Sequence, residues 1–366
     1  MSPIEPPAVR ASGPAFDDAG FGATPAVDAS RAISAVSAAG EFLPPPWLRN
    51  PHIQSIYPSL QLLRPGVLKS TSGVVAASRR LVLECDDGVR LLAFQARQHE
   101  SGHRPAQRLA VLLHGWEGSS SSPYVLSLAQ HLFDRGYDVV RLNLRDHGDS
   151  HDLNAELFHS NRIAEVTSAV RTLQQLNPER RLHLAGFSLG GNFCLRVAAR
   201  ALRSSVDLAS VVAVCPVLDP AHTLAGLEHG WIVYRRYFVS KWRRSLRRKR
   251  DVWPQRYDFD DMLRMTTLTE MTDHLVRKYT DYPSLEHYLQ GYALVGNALR
   301  DLEVRSRVIA ALDDPIIPAI DLDRLPSPPA LEVTRTRFGG HCGYYDGRPG
   351  PSWLEREIAA EFERGA

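Results

Sequence analysis

The chain has 366 residues, 44% of them hydrophobic and 23% charged, with a formal net charge of +2. That is the balance of an ordinary globular protein, and it excludes a polyanion binder by overall charge, so nucleic acid is not an expected partner. No apolar run approaches the length of a membrane span. The first residues, MSPIEPPAVR, lack a basic region followed by an apolar one, so no secretory signal is expected. Cys85, Cys194, Cys215 and Cys342 are scattered without a C-x-x-C or zinc-like spacing. Free thiols and a reducing, cytoplasmic setting are the expectation.

Residues 1–40 are rich in Ala, Ser, Pro and Gly, have little periodicity and read as a disordered tail. From Pro44 to Pro58 the aromatic and apolar anchors Trp47, Ile53 and Tyr57 predict an arm packed on the domain. Arg80 to Glu84 and Val89 to Arg97 read as strands joined by a turn at Asp86-Asp87-Gly88. Leu109 to Leu113 is a buried strand by its continuous apolar run. Tyr124 to Phe133 is helical, Asp138 to Leu144 a strand, and Ile163 to Leu176 helical. A strand ending at Ala185 leads into a helix running to about Leu202, and Ala209 to Cys215 is a strand closed by Pro216. This rhythm predicts a mostly parallel central sheet with helices on both faces, and loops after Leu113, Leu144, Ala185 and Val217 sharing one rim.

The rhythm stops between 221 and 301, where no strand pattern occurs. This stretch is predicted to be a helical insertion, a lid, dividing a core of residues 41–220 and 302–366. Val308 to Leu312 and Leu331 to Arg337 resume the strands, and Trp353 to Phe362 is a closing amphipathic helix.

Between Arg181 and Arg196 lies Gly186-Phe187-Ser188-Leu189-Gly190, a G-x-S-x-G turn between an apolar strand and an apolar helix. Such a turn lifts a serine hydroxyl clear of the sheet and aims a helix N-terminus at it. A Cβ at Gly186 or Gly190 would collide with the neighbouring strand and helix. A Gly-rich turn with an incidental serine has the same local sequence, so the rest of the chain decides between the two.

A serine hydroxyl needs a base to take its proton and an acid behind the base. Among fourteen histidines, His341 follows two glycines just past the last strand. His147 and His151 also lie in rim loops, where a histidine that bonds its own loop is the competing reading. The acid is Asp313 or Asp314. The run Asp314-Pro315-Ile316-Ile317-Pro318 resembles the acid turn of the α/β-hydrolase fold, a resemblance that favours Asp314 and leaves Asp313 to cap the turn or face solvent. The oxyanion donors expected are the backbone amides of Leu189 and, from the loop after His114-Gly115, Trp116. Glu117 is out of place beside an anion site and is expected to point away, toward an arginine such as Arg145. No P-loop, G-x-G-x-x-G or metal-ligand motif occurs, so neither cofactor nor metal is expected.

These motifs resemble the α/β-hydrolase superfamily, and within it the branch of YheT-like bacterial hydrolases and their eukaryotic ABHD-type relatives. The matching segments are PPPWLRNPHIQSIYPSL, HGWEGSSSSPYV, LNLRDHGDS, GFSLGGN, AALDDP, GGHCGY and VYRRYFVSKWRRSLRRK, spread over residues 44–365. The resemblance implies the α/β-hydrolase fold with Ser188 as nucleophile, His341 as base and an Asp of the Asp313-Asp314 pair as acid. It also implies cofactor-free cleavage of esters, from short or medium acyl chains to glycerolipids. An acyltransferase would use the same acyl-enzyme but pass the acyl group to an alcohol or thiol. A non-catalytic binding protein on this fold would normally lack one of the three residues.

The insertion carries a further feature. From Arg235 to Arg250 there are nine Lys or Arg and no acid, while Trp231, Tyr234, Phe238, Trp242 and Leu246 recur three or four apart. A basic helix with an aromatic stripe is the pattern of a segment lying on an anionic membrane. The alternative packs the stripe on the domain and leaves the charges solvated or paired with Asp258, Asp260 and Asp261.

Overall fold

The computed structural model describes residues 41–57, 71–348 and 350–365. The tail expected over residues 1–40 and the end of the arm at Pro58 lie outside them. After a short 3-10 turn come helices α1 (Pro51–Ile56) and α2 (Ser72–Ala76), then strands β1 (Ser78–Glu84), β2 (Arg90–Ala96) and β3 (Arg108–Leu113). The chain continues as α3 (Pro123–Asp134), β4 (Asp138–Leu142), α4 (Ile163–Leu176), β5 (Arg181–Phe187), α5 (Leu189–Ala198) and β6 (Ser210–Val214). Five helices follow: α6 (Pro220–His229), α7 (Ile232–Val252), α8 (Asp260–Arg264), α9 (Leu268–Tyr279) and α10 (Leu285–Gln290). β7 (Ser306–Ala311), β8 (Leu331–Thr336) and α11 (Trp353–Arg364) close the chain.

The eight strands form one sheet in the order β1-β2-β4-β3-β5-β6-β7-β8. β2 pairs antiparallel with β1 and β4, and every pair from β4 to β8 is parallel. Both faces of the central parallel strands are covered, which is why β3 and β6 read as nearly unbroken apolar runs. Leu109, Val111 and Leu113 join one core cluster with residues of α4 and α5, while Ala110 and Leu112 join the other with residues of α3 and α11. That is the period-two alternation of a strand dividing two layers.

Several boundaries differ from the sequence expectation for identifiable reasons. Beyond Leu142, Asn143 N–H still donates to Leu92 O in the β2–β4 register, and the chain leaves the ladder at Leu144, whose N–H donates to His114 Nε2 at 3.2 Å. The β1–β2 connection contains left-handed residues at both Asp87 (φ 56°) and Gly88 (φ 69°). α5 stops at Ala198, four residues short of Leu202.

The five helices between β6 and β7 do not form a separate core. Leu227, Tyr234, Val239, Trp242, Leu246, Met262, Leu268, Met271, Leu275 and Val276 belong to the same apolar cluster as one face of the sheet. Asp219 begins the segment by capping α6, accepting from Ala221 N–H, with Pro220 in the first turn.

The longest helix, α7, is amphipathic in an unexpected way. Tyr234, Trp242 and Leu246 are buried and Phe238 is half-buried, so most of the stripe packs on the domain, whereas Trp231 at its end stays exposed. One of the basic residues, Lys249, is buried with them. Its ammonium donates to Asp146 Oδ1 at 2.7 Å and to the carbonyls of Asn154 (2.6 Å) and Glu156 (3.1 Å). Asp146 Oδ2 also accepts from Phe158 N–H at 2.9 Å. Asp260 does pair with Arg250, and Asp261 with Arg264.

Lys249→Met leaves Asp146 buried without its counter-charge and is expected to lower unfolding stability by about 3–5 kcal/mol. Arg244→Met, on the exposed side of the same helix, should stay within about 0.5 kcal/mol. Urea denaturation midpoints of the two variants check this.

Candidate active site

β5 delivers Phe187 to the sheet's edge and α5 begins at Leu189, so Ser188 alone makes the turn. Its backbone sits at φ 54°, ψ −119°, a conformation that costs a non-glycine residue about 1–3 kcal/mol. The flanking glycines make it attainable. A Cβ on Gly186 would lie 2.3 Å from Gly190 O, and one on Gly190 would lie 2.5 Å from His114 O and 2.6 Å from Leu113 O. Strand, elbow and helix therefore touch backbone to backbone. Ser188 N–H is anchored to Val214 O at 2.8 Å. On α5, Asn192 fixes the neighbouring rim loops by donating to Val217 O and Tyr292 O, both at 2.8 Å.

The loop after β3 passes directly over the elbow. A Cβ on Gly115 would lie 3.3 Å from both Ser188 Cβ and Phe187 O. His114 is buried, and burial pushes its pKa down to about 3, so the ring is neutral. Its Nε2 accepts from Leu144 N–H, so Nδ1–H donates to Gly115 O at 2.7 Å, tying the β3 and β4 loops together. Tyr124 Oη accepts from Gly115 N–H at 3.1 Å. Among the described residues, the amides of Trp116 and Leu189 donate to no protein acceptor.

Glu117, at φ 56°, does not reach Arg145 as expected from the sequence. Arg145 is committed to Glu165 Oε2 (2.7 and 3.0 Å) and to Glu156. Burial instead raises the Glu117 carboxyl to about 8, with Lys241 opposing the shift. At neutral pH it is mostly uncharged and puts no anion beside the two free amides.

On the far side of the sheet's carboxyl edge, His341 Nδ1–H donates to Asp314 Oδ2 at 2.9 Å. The other oxygen, Asp314 Oδ1, accepts from Ile316 N–H (2.8 Å) and Ile317 N–H (3.0 Å), which fixes the carboxylate and its turn. Asp313 is oriented differently. Its Oδ1 accepts from Gly340 N–H at 2.8 Å and so holds the loop that carries His341. Gly339 (φ 150°) and Gly340 (φ 54°) allow that loop its turn, and a Cβ on Gly340 would lie 2.5 Å from Pro51 O. Burial alone would depress His341, but the charge and hydrogen bond of Asp314 outweigh it and the pKa lies above the ordinary histidine value.

The arm contributes what sequence reading missed. Ser55 Oγ on α1 accepts from His341 N–H at 2.8 Å. Gln54, fully buried, donates to Leu48 O and Tyr345 O and accepts from Tyr345 N–H, each at 2.9 Å. The segment PPPWLRNPHIQSIYPSL carried a resemblance signal but no hint that two of its polar residues brace the His341 loop. The His341 loop meets the elbow at one carbonyl: Val214 O accepts from both Ser188 N–H (2.8 Å) and the Cys342 thiol (3.6 Å).

The competing histidines are built into the rim. His147 bonds Arg145 O at 2.7 Å and burial lowers it to about 4. His151 Nε2 meets Ser245 Oγ on α7 at 2.9 Å and burial lowers it to about 3. A wide polar cleft of about 730 Å³ lies elsewhere, lined by residues such as Glu156, Arg162, Arg256 and Tyr282, and none of Ser188, Asp314 or His341 lines it.

A sequence profile described as the α/β-hydrolase fold matches residues 110–347. The chain belongs to that family. It is 27% identical over 333 residues to YheT of Escherichia coli (strain K12), an esterase by name, covering 88% of this chain and 93% of that protein. It is 21% identical over 241 residues to the mouse phospholipase ABHD3, covering 65% of this chain and 58% of that protein. So the chain spans a little over half of the mouse relative. Among solved structures, the Pyrococcus furiosus esterase Pf2001 superposes with a TM-score of 0.52 at 16% identity, covering 78% of this chain and 90% of that one. At that identity the likeness concerns the fold.

The two acids differ enough to be told apart by titration. In Asp314→Asn, burial acts on His341 without the opposing charge, so its pKa should fall below the ordinary 6.5 or so. In Asp313→Asn it should remain above that value. An NMR titration of the His341 ring reads both variants; an unchanged pKa in Asp314→Asn would refute the assignment.

Proposed function

We propose that the chain is a serine hydrolase that cleaves carboxylic esters through an acyl-enzyme. The observation that carries this is a serine on a left-handed strand-to-helix elbow, with a histidine on the same rim whose Nδ1 is held by a buried carboxylate. Ser188 attacks the ester carbonyl as His341 takes its proton. His341 then returns the proton to the leaving alcohol, and a water repeats the cycle to release the acid. Asp314 selects the tautomer that leaves Nε2 free to accept, and stabilises the imidazolium that forms. The free amides of Leu189 and Trp116 are the oxyanion donors, each worth about 3–4 kcal/mol in the transition state. The relatives named esterase and phospholipase support ester cleavage in general terms. No cofactor enters this reaction.

The insertion is the lid in this reading. α7 lies on the β3 loop, with the Phe238 ring stacked on Trp116 at 5.3 Å and the Trp242 ring edge-on to it at 5.2 Å. An aromatic wall directly over a candidate oxyanion donor suits an apolar acyl group, from a short or medium chain to a lipid.

Ser188→Ala should remain folded and lose several orders of magnitude of turnover on a p-nitrophenyl ester series. Loss of a triad member typically leaves only about 10³–10⁴ over the uncatalysed rate. Asp314→Asn should lose far more activity than Asp313→Asn on the same substrate. Near-normal turnover by folded Ser188→Ala would sink the proposal.

A second element of the proposal concerns where the substrate is met, and one observation favours it. Trp231, Ile232, Val233 and Tyr237 at the start of α7 are all exposed, as is Ile53 on α1 beside it. The His52 ring packs on Trp231 at 4.8 Å, so the two helices present one apolar patch next to the loop brace. Arg236, Arg244 and Arg247 on α7 are exposed as well. We infer that this patch, together with the exposed arginines spread along α7, makes peripheral contact with anionic lipid, each arginine adding about 1 kcal/mol at low salt. Co-sedimentation should show binding to anionic vesicles, little to neutral ones, and weakening with salt and in Arg236→Gln/Arg244→Gln/Arg247→Gln. Equal binding to both vesicles, or none, would leave α7 as a plain cover over a site for dispersed esters. Among the described residues no helix is long and apolar enough to cross a membrane.

A further inference from the structure

Ester cleavage by Ser188 makes no use of two thiols that the fold brings against His341. Cys215 follows β6 and Cys342 follows His341 itself, 127 residues apart in sequence. Both sulfurs and a ring nitrogen of His341 lie within 4.8 Å of one another. Hydrogen bonds hold the cluster together. Cys342 N–H donates to Cys215 Sγ at 3.4 Å, the Cys215 thiol donates to Gly340 O at 3.7 Å, and the Cys342 thiol donates to Val214 O at 3.6 Å. Both residues hold left-handed backbone, φ 41° and 61°, which non-glycine residues seldom adopt. Cys215 is buried and Cys342 is half-buried, so the cluster has one side toward the rim.

Two thiols and an imidazole are the donor set of a soft d¹⁰ cation. Zinc takes thiolate sulfur at about 2.3 Å and imidazole nitrogen at about 2.0–2.1 Å, so ligands around it stand roughly 3.5 Å apart. A contraction of about 1 Å, within reach of χ1 adjustments, brings the three donors to that spacing. Nδ1 of His341 is bonded to Asp314, which leaves Nε2 as the nitrogen a cation takes without breaking that bond. A carboxylate behind a metal-bound histidine is the usual support for such a ligand. The Asp314 carboxylate that meets the cluster is already engaged with His341 and two backbone amides, so a hard, oxygen-seeking cation has little to bind.

We propose that Cys215, Cys342 and His341 form a site for a soft divalent cation of the zinc type, and that its occupancy inhibits the enzyme. The cation displaces the two thiol protons to solvent and takes the imidazole nitrogen that must accept the Ser188 proton. The inhibition rests on the ester-hydrolase reading given above; the binding does not.

The test uses the full chain, reduced and stripped of metal with a chelator. Cobalt(II) is added as a spectroscopic probe, and zinc(II) is titrated against ester turnover, with magnesium(II) as the hard-cation control. Cobalt should give a thiolate-to-metal charge-transfer band at one equivalent, and zinc should bleach it. Zinc at low concentration should abolish most turnover, EDTA should restore it, and magnesium should do neither. Cys215→Ala, Cys342→Ala and the double variant should lose the band and need at least about tenfold more zinc for the same fractional inhibition, each read against its own metal-free turnover. Cys215→Ser and Cys342→Ser serve if the apolar variants fail to fold by circular dichroism. Absence of the cobalt band in the wild type overturns the proposal, as does zinc inhibition unchanged in the double variant. So does a loss of activity reversed by dithiothreitol but not by EDTA, which marks a disulfide instead. A cobalt band in a protein without ester turnover would keep the metal site and reject the hydrolase reading.

Discussion

The architecture of the rim follows from how closely β3, the elbow and α5 approach one another. Gly186 and Gly190 leave less than 3 Å between an imagined Cβ and the backbone of a neighbouring element. That contact holds Ser188 in a backbone conformation it would not choose. The same contact draws the β3 loop over the elbow, so that the amides of Trp116 and Leu189 are left without protein acceptors beside a single side chain. A methyl group at either glycine would push the helix from the strand and separate all three features at once. The position of Ser188 and the position of the two free amides are one steric fact.

Electrostatics then separates groups that look alike in sequence. His114, His147, His151 and His341 all lie near the rim. Burial lowers the first three; His114 and His147 are bonded within the rim loops and His151 to Ser245 on α7. Only the last has a carboxylate on its Nδ1, and its pKa is raised. The adjacent acids divide in the same way: Asp314 faces the ring, while Asp313 faces a backbone amide of the loop below it. A partly buried acid such as Glu117 fits beside the donors because desolvation keeps it protonated near neutrality.

The insertion shows how far a helix can depart from the reading of its charges. Its basic residues do not share one environment. Lys249 is 1% exposed and satisfied by Asp146 and backbone carbonyls, whereas Arg244 and Arg247 face outward. A buried ammonium with a complete set of acceptors pins the carboxyl half of α7 to the β4 loop, and the aromatic residues pack on the β3 loop. The amino half carries the exposed apolar residues. One helix thus has a fixed end and a presented end.

The sequence alone determined what depends on local pattern. Apolar runs located the buried parallel strands, the spacing of glycines about Ser188 located the strand-to-helix turn, and the loss of strand rhythm after Ala221 marked a stretch that is helical between β6 and β7. These were legible because burial on both faces and steric crowding each constrain residue type over a few positions. The tertiary structure decided what depends on meeting across long separations. Sequence could order Asp313 and Asp314 only by the shape of a turn; their different partners exist because β7 and the His341 loop lie side by side. The brace of Gln54 and Ser55 under His341 was invisible because its partners lie nearly 300 residues away. The stripe on α7 was legible as amphipathic, but whether it met lipid or protein depended on which loops stood opposite. Spacing rules find ligands that share a segment. Cys215, Cys342 and His341 meet only because parallel strands carry distant residues to the same edge, where hydrogen bonds and left-handed turns hold them together.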